Sequence, residues 1–339
     1  MLKMNHSGVH SYSLIATWLI LQFIFSTAGG FLSDYFSRKL ILALCIAGRT
    51  VGLVLIFNDN ILNAIIVDGV FGNINPVARA AYCDVHISQK RIPNIINTFF
   101  VQPIPWILFP LFGINNFTFI ISVILLITSL FLVLLMFFDF RDRSVIKMST
   151  VKRVFQSDLI MVAIAFLLLN SQWWIVANFL EEGRLFNELA INTFLINGIS
   201  FFLGVFISRA LLLSVEKTLT LIFFLIFSTI ILKICFSIIY KESLSTSIDL
   251  MIQFTLLGGI GQPLIYALFG KKVAIHEQGT AYGLLESVQY FSEILWIGFA
   301  LILGTIGLTY SYIILAIISG ISLTLVWIGL RSRLKHIDN

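Results

Sequence analysis

The feature that most limits this chain is its uninterrupted apolar runs, each about as long as a bilayer is thick. A helix crossing the hydrocarbon core takes roughly 20 apolar residues, and eleven such stretches can be traced: 12 to 33, 40 to 57, 61 to 82, 95 to 113, 117 to 138, 158 to 180, 189 to 208, 218 to 239, 248 to 270, 281 to 304 and 307 to 330. They are called segments 1 to 11 here. Their continuity excludes a β-barrel, whose strands are short and alternate in polarity. The predicted fold class is therefore all-α, a polytopic membrane protein with eleven transmembrane helices. Composition agrees: 58% of residues are hydrophobic and 12% charged, and mean hydropathy is +0.98, so the surface is built to face lipid. Segment 1 carries Thr17 and Gln22 and is followed by ten more runs, which reads against a cleaved signal peptide.

The basic residues divide by side. Sixteen of the 22 Lys and Arg fall on one side of the segment map, only Lys3, Arg184 and Lys241 on the other, and Arg49, Arg79 and Lys233 within segments. Cytoplasmic loops hold the excess, so the N-terminus reads as external and the C-terminus as cytoplasmic. The charge is spread over six stretches, so the +5 net charge reflects topology and not nucleic-acid binding. The longest connection, Asp139 to Ser157, is basic and divides five segments from six. The expected organisation is an N-terminal helical bundle over 1–138, a linker over 139–157, a six-helix bundle over 158–330 and a cytoplasmic tail over 331–339.

Between segments 1 and 2 lies Gly30-Phe31-Leu32-Ser33-Asp34-Tyr35-Phe36-Ser37-Arg38-Lys39. It resembles the Gly-x-Leu-Ala/Ser-Asp-x-x-Gly/Ser-Arg-Arg/Lys signature of the major facilitator superfamily. Asp84 stands where that family commonly has an acidic partner for the signature Arg. The runs Gly258-Gly259-Ile260-Gly261-Gln262-Pro263 and Glu277-Gln278-Gly279-Thr280-Ala281-Tyr282-Gly283 resemble the family's tenth helix and the loop into its eleventh, notably in the tetracycline and multidrug efflux branch. The resemblance implies a two-bundle fold of five plus six helices, alternating access, and an inner latch. In that latch Asp34 and Arg38 face the helix end at Gly279 to Gly283, with Gly30 allowing close approach. It also makes segment 1 the equivalent of the family's second helix, so that the first is expected to be missing. Segment 4, with Pro103, Pro105 and Pro110, should be kinked and lacks the Gly-rich motif of the drug antiporters.

Ionisable residues inside a membrane cost on the order of 2.5 to 3.5 kcal/mol on insertion scales and mark sites. Asp68, Gly72, Asn75, Pro76 and Arg79 in segment 3 fall largely on one helical face, predicted to look inward. Arg49 and Asp68 lie within reach of each other if their helices are neighbours, as a coupling pair or as a permanent bridge. Tyr282, Glu286, Gln289 and Glu293 form one stripe on segment 10. Arg49, Asp68, Arg79, Glu286 and Glu293 are the cavity and proton-coupling candidates, with Glu293, near the midplane, foremost and Glu286 read more readily as snorkelling to the cytoplasmic rim. In segment 6, Asn170, Gln172 and Trp173, with Gln262 from segment 9, are substrate-cavity candidates, although tryptophans there read equally as interfacial anchors. Lys233 reads either way.

Enzyme motifs for zinc proteases, serine hydrolases, nucleotides and dinucleotides are absent from the sequence, and Cys45, Cys83 and Cys235 have no metal-ligand spacing. No cofactor or metal is expected. The sequence thus describes a monomeric, multi-pass protein of the cytoplasmic (inner) membrane, no enzyme. It would carry a small-molecule substrate, coupled to protons, by secondary active transport. The alternative is a truncated, transport-inactive remnant or membrane scaffold.

Overall fold

Beside an apolar core, this molecule buries many polar groups and exposes many large apolar ones, unlike a water-soluble domain. Gln22, Asp34, Arg38, Asn73, Arg79, Asn170, Gln262, Glu286 and Glu293 are all buried, while Leu40, Leu44, Ile124, Leu125, Phe131 and Leu135 are exposed. Lipid is the solvent that suits such a surface. The computed structural model describes residues 8–85, 91–104, 107, 116–136, 163–167, 169–170, 188–210, 244–273, 275–303, 317 and 321. Among these residues the ordered elements are all helical, with no strand.

The described helices are α1 (Gly8–Tyr35), α2 (Arg38–Phe57), α3 (Ile61–Phe71), α4 (Ile74–Val85), α5 (Arg91–Thr98), α6 (Asn116–Met136), α7 (Glu188–Ala210), α8 (Leu244–Lys272) and α9 (Gln278–Leu303). Three spans among the described residues, Ser13–Tyr35, Arg38–Phe57 and Ile61–Asp84, are long and apolar enough to cross a membrane. The protein is therefore a multi-pass membrane protein. Segments 8 and 11 fall outside the described residues, apart from 317 and 321 in the latter.

Two connections set the geometry of the first half. Phe36 and Ser37 alone separate α1 from α2, and the Ser37 side chain caps α2 by accepting from the Leu40 backbone N–H at 3.4 Å. At the far end, Asp59 adopts φ 57°, a left-handed conformation that Asp tolerates, and turns the chain into α3. These tight turns make α1, α2 and α3 antiparallel neighbours.

Segment 3 differs from the single helix predicted: it breaks at Gly72–Asn73 between α3 and α4. Gly72 has no side chain, and a Cβ there would strike the Asp68 carbonyl oxygen and the Gln22 amide. Polar side chains support the break. Gln22 donates to the Asp68 carbonyl at 2.9 Å, Ser26 donates to the Asn73 side chain at 2.6 Å, and Asn73 reaches back to the Gly69 carbonyl at 3.5 Å. Interrupted helices persist in membranes where neighbouring side chains satisfy the freed backbone in this way. In segment 4, α5 ends at Thr98 and gives way to turns over 99–103 that include Pro103.

The helices before residue 139 (α1 to α6) and those after residue 157 (α7 to α9), called here the first and second halves of the chain, meet chiefly along α1 and α9, which run antiparallel over most of their length. At one end the seam is made of small residues at four-residue spacing: Ser26 and Gly30 on α1, Gly279, Gly283 and Ser287 on α9. A Cβ on Gly30 would overlap the Gly279 carbonyl, and one on Gly283 would overlap the Ser26 carbonyl. Small residues permit this backbone approach, which is how helices gain dispersion energy in a medium as apolar as themselves. Toward the other end the seam becomes aromatic, with Phe23 against Phe291 at 5.8 Å and Trp18 edge-on to Tyr290 at 6.0 Å between ring centroids. Further contacts between halves join α5 to α7 and α8, including Arg209 Nε donating to Asn97 Oδ1 at 3.2 Å.

Candidate functional site

Two groups of polar residues lie on the interface between the halves, and a third lies within the first half. The first group is at the small-residue end of the seam. The first backbone N–H groups of α9 have no partner within their own helix, and the Asp34 side chain supplies one from α1. Its Oδ1 accepts from Gly279 N at 3.0 Å, and its Oδ2 accepts from Thr280 N at 2.6 Å and Thr280 Oγ1 at 2.8 Å. Arg38 donates to Asp34 Oδ1 at 3.1 Å and pairs with Asp84 Oδ2 at 2.7 Å. A carboxylate of the first half thus caps a helix of the second, with the positive end of the helix dipole favouring its charge. Asp34, Arg38, Gly279 and Gly283 are all buried.

The second group sits deeper. Arg79 Nη1 donates to Glu286 Oε2 at 2.7 Å, and both side chains are 5% exposed. Asn75 donates to Glu286 Oε1 at 3.1 Å, so two residues of α4 hold one carboxylate of α9. The Arg79 guanidinium lies 4.2 Å from the Phe99 ring centre and 4.4 Å from that of Tyr266, a cation–π sandwich that replaces part of its lost hydration. Its Nη2 also reaches Gln102 Oε1 at 3.5 Å. The Tyr266 hydroxyl is 3.5 Å from both Glu286 Oε2 and Gln289 Oε1, and Gln289 donates to Glu293 Oε1 at 3.1 Å. Gln262 donates to Asn170 at 3.0 Å, Asn170 to Ser292 Oγ at 2.9 Å, and Ser292 to the Gln289 carbonyl at 2.6 Å. The buried carboxylates of α9, the amides of α8 and of residue 170, and the cation of α4 therefore form one connected network.

The placement of Glu286 corrects the sequence expectation. Instead of snorkelling to a rim it is buried, because Arg79, on a helix of the other half, comes to meet it. Nor do Asp68 and Arg79 share an environment, since the break at Gly72–Asn73 lies between them. Asp68 bonds within the first half, accepting from Arg49 Nε at 3.0 Å and Trp18 Nε1 at 2.8 Å, while Asn75 and Arg79 reach across to α9. Gln172 and Trp173, proposed with Asn170 and Gln262 as cavity residues, lie outside the described residues, as does Lys233. Among the described residues no group of His, Cys, Asp and Glu could hold a metal ion.

Sequence reasoning missed Tyr266 and Trp18 as members of these clusters. Each carries one polar hydrogen in the middle of an apolar helix, where it must find an acceptor. That requirement was readable, although the identity of the acceptor was not.

The chain shares its fold with the crystal structure of the human organic anion transporter MFSD10 (TETRAN), on which it superposes with a TM-score of 0.74, at 14% sequence identity, over 94% of this chain and 83% of that one. No protein-family model matches the sequence, and no curated protein matches it.

Proposed function

We propose that the chain is a secondary active transporter of a small organic solute, working by alternating access between its two halves. The observation that carries this reading is the Arg79–Glu286 pair. A buried ion pair between helices of the two halves is a poor device for stability alone, because desolvation offsets much of its attraction. It is a good device for a contact that forms in one state and exchanges partners in another. The Asp34 cap on α9 marks the end of the molecule that is shut in the state described.

The reading extends to eleven crossings, five before Asp139 to Ser157 and six after. It places the chain in the cytoplasmic (inner) membrane, acting as a monomer, with its N-terminus outside and the Asp34 end cytoplasmic. Protons are the coupling ion, carried by the α9 carboxylates, with Glu293 as the acceptor and Glu286 exchanging between Arg79 and a proton. Asn170 and Gln262 contribute to the solute cavity. The signature loop and the Gly279 to Gly283 run support kinship with the tetracycline and multidrug efflux branch, and the name of the structural neighbour adds organic anions to the solutes worth testing first.

The test is uptake into proteoliposomes from a panel of labelled organic cations, anions and neutral solutes, with and without an imposed pH gradient. At least one solute is expected to accumulate with the gradient and to leak away on adding a protonophore. Glu293→Gln should abolish the gradient-driven step while leaving solute exchange. If folded protein moves no member of the panel, the inactive scaffold becomes the better reading.

A further inference from the structure

A half-open cavity of about 440 Å³ lies in the first half, apart from the interface network. Leu14, Ile15 and Trp18 of α1, Gly52, Leu53 and Ile56 of α2, Ala64 and Ile65 of α3 and Leu126 of α6 make its walls, and Arg49 and Asp68 are its charged groups. Trp18 is sixteen residues from Asp34, about 24 Å along α1 at 1.5 Å per residue, so the cavity is at the opposite end of the seam from the latch. Its size falls within the range of small-molecule sites, roughly 300 to 1,000 Å³, and its apolar walls with a few polar groups match their usual make-up.

The hydrogen bonding within it is lopsided. Both oxygens of Asp68 are used, Oδ1 by Arg49 Nε and Oδ2 by the Trp18 indole. Arg49 gives only its Nε to this pair. Among the described residues its two terminal nitrogens have no hydrogen-bond acceptor, and its side chain is 40% exposed while lining the cavity. The cavity therefore offers two Arg49 nitrogens without a partner among the described residues, whereas each Asp68 oxygen already accepts one hydrogen bond. The terminal fork of a guanidinium matches a carboxylate or phosphate with two parallel hydrogen bonds. Gly52 leaves space beside it: a Cβ there would meet the Ala64 carbonyl and Asp68 at 3.6 Å, which is ordinary contact.

We infer that this cavity is a binding site for an amphipathic anion, its head on the free edge of Arg49 and its apolar chain along Leu14, Ile15, Leu53 and Leu126. Trp18 ties the site to the second half. The same indole that donates to Asp68 packs edge-on against Tyr290 of α9, so a head group that draws Arg49 away from Asp68 acts on the aromatic end of the seam.

The experiment is calorimetric titration of the full chain in phosphatidylcholine nanodiscs with octanoate, octanol and octylammonium. Octanoate is expected to bind saturably, and the other two only to partition. Arg49→Gln alone would leave Asp68 with an unbalanced charge, so the decisive variant is the double Arg49→Gln, Asp68→Asn, with folding checked by thermal melting. Loss of the charge-assisted bonds should weaken octanoate about 10- to 100-fold. Gly52→Leu, which fills the cavity and keeps both charges, should weaken it likewise. Discs enriched in phosphatidylglycerol separate the two sources of such a ligand. Competition with octanoate in the parent but not in the double variant identifies a lipid head group, and its absence identifies a free anion. Octanoate binding that is equal in the parent and both variants, or no stronger than octanol, overturns the inference. Since binding is read at equilibrium, the result does not depend on whether any solute is transported.

Discussion

Two of the protein's ion pairs, similar in length, lie in contrasting surroundings. Arg79–Glu286, at 2.7 Å, is 5% exposed on both sides and joins α4 to α9, whereas Arg49–Asp68, at 3.0 Å, is 40% and 24% exposed and stays within the first half. The first cannot be broken without either moving one half or stranding a charge. The second can lose or exchange a partner while the helices around it stay still. The contrast teaches that position across the seam, more than the chemistry of the pair, decides which charge is tied to movement of the whole molecule and which is available to a ligand.

The sharpest way to break this comparison is to remove one partner from each pair. Arg79→Met leaves Glu286 buried without its cation and should cost about 3 to 5 kcal/mol, measured by denaturant unfolding in mixed micelles. The double variant Arg79→Met, Glu286→Leu should recover most of that loss and remain unable to move solute. Asp68→Asn, by contrast, should cost less than Arg79→Met, because the pair it breaks is only partly buried and ties no helix of the second half. Similar losses for the two pairs would erase the distinction.

Between these extremes lie the two elements of the latch end. Gly30→Val forces a side chain into the space of the Gly279 carbonyl, and overpacking of this kind costs about 1 to 3 kcal/mol. Asp34→Asn keeps the shape but gives up the charge that three donors of α9 and Arg38 address. Its expected cost is about 1 to 2 kcal/mol. Accessibility of a cysteine placed at Thr280 to a membrane-impermeant maleimide should rise in both variants, since the helix end they close would open more often.

These expectations also show what was legible beforehand. The helical class, the membrane setting and the helix order came from run length alone, because a bilayer leaves few alternatives. The juxtaposition of Asp34 with Gly279 and Gly283 could be anticipated only through the resemblance of the signature loop and the Gly279 to Gly283 run to a known family. Arg49 and Asp68 could be paired because a short turn makes their helices neighbours in space. Glu286 could not be placed in this way. Its partner Arg79 is 207 residues away, and a helical stripe tells which side a carboxylate faces but not what arrives to meet it. The break at Gly72–Asn73 was hidden for the same reason, since Gln22 and Ser26 on another helix make it tolerable.

The central claim is that the halves must part along α1 and α9 during each cycle. Thr27 Oγ1 and Ser287 Oγ face each other across that seam at 2.7 Å, close enough for a disulfide between cysteines placed there. In a background lacking Cys45, Cys83 and Cys235, the Thr27→Cys, Ser287→Cys variant should be oxidised and assayed in proteoliposomes with whichever solute the panel identifies. The account predicts that movement stops when the bridge forms and returns on reduction. Movement at the parent rate with the bridge intact would contradict it.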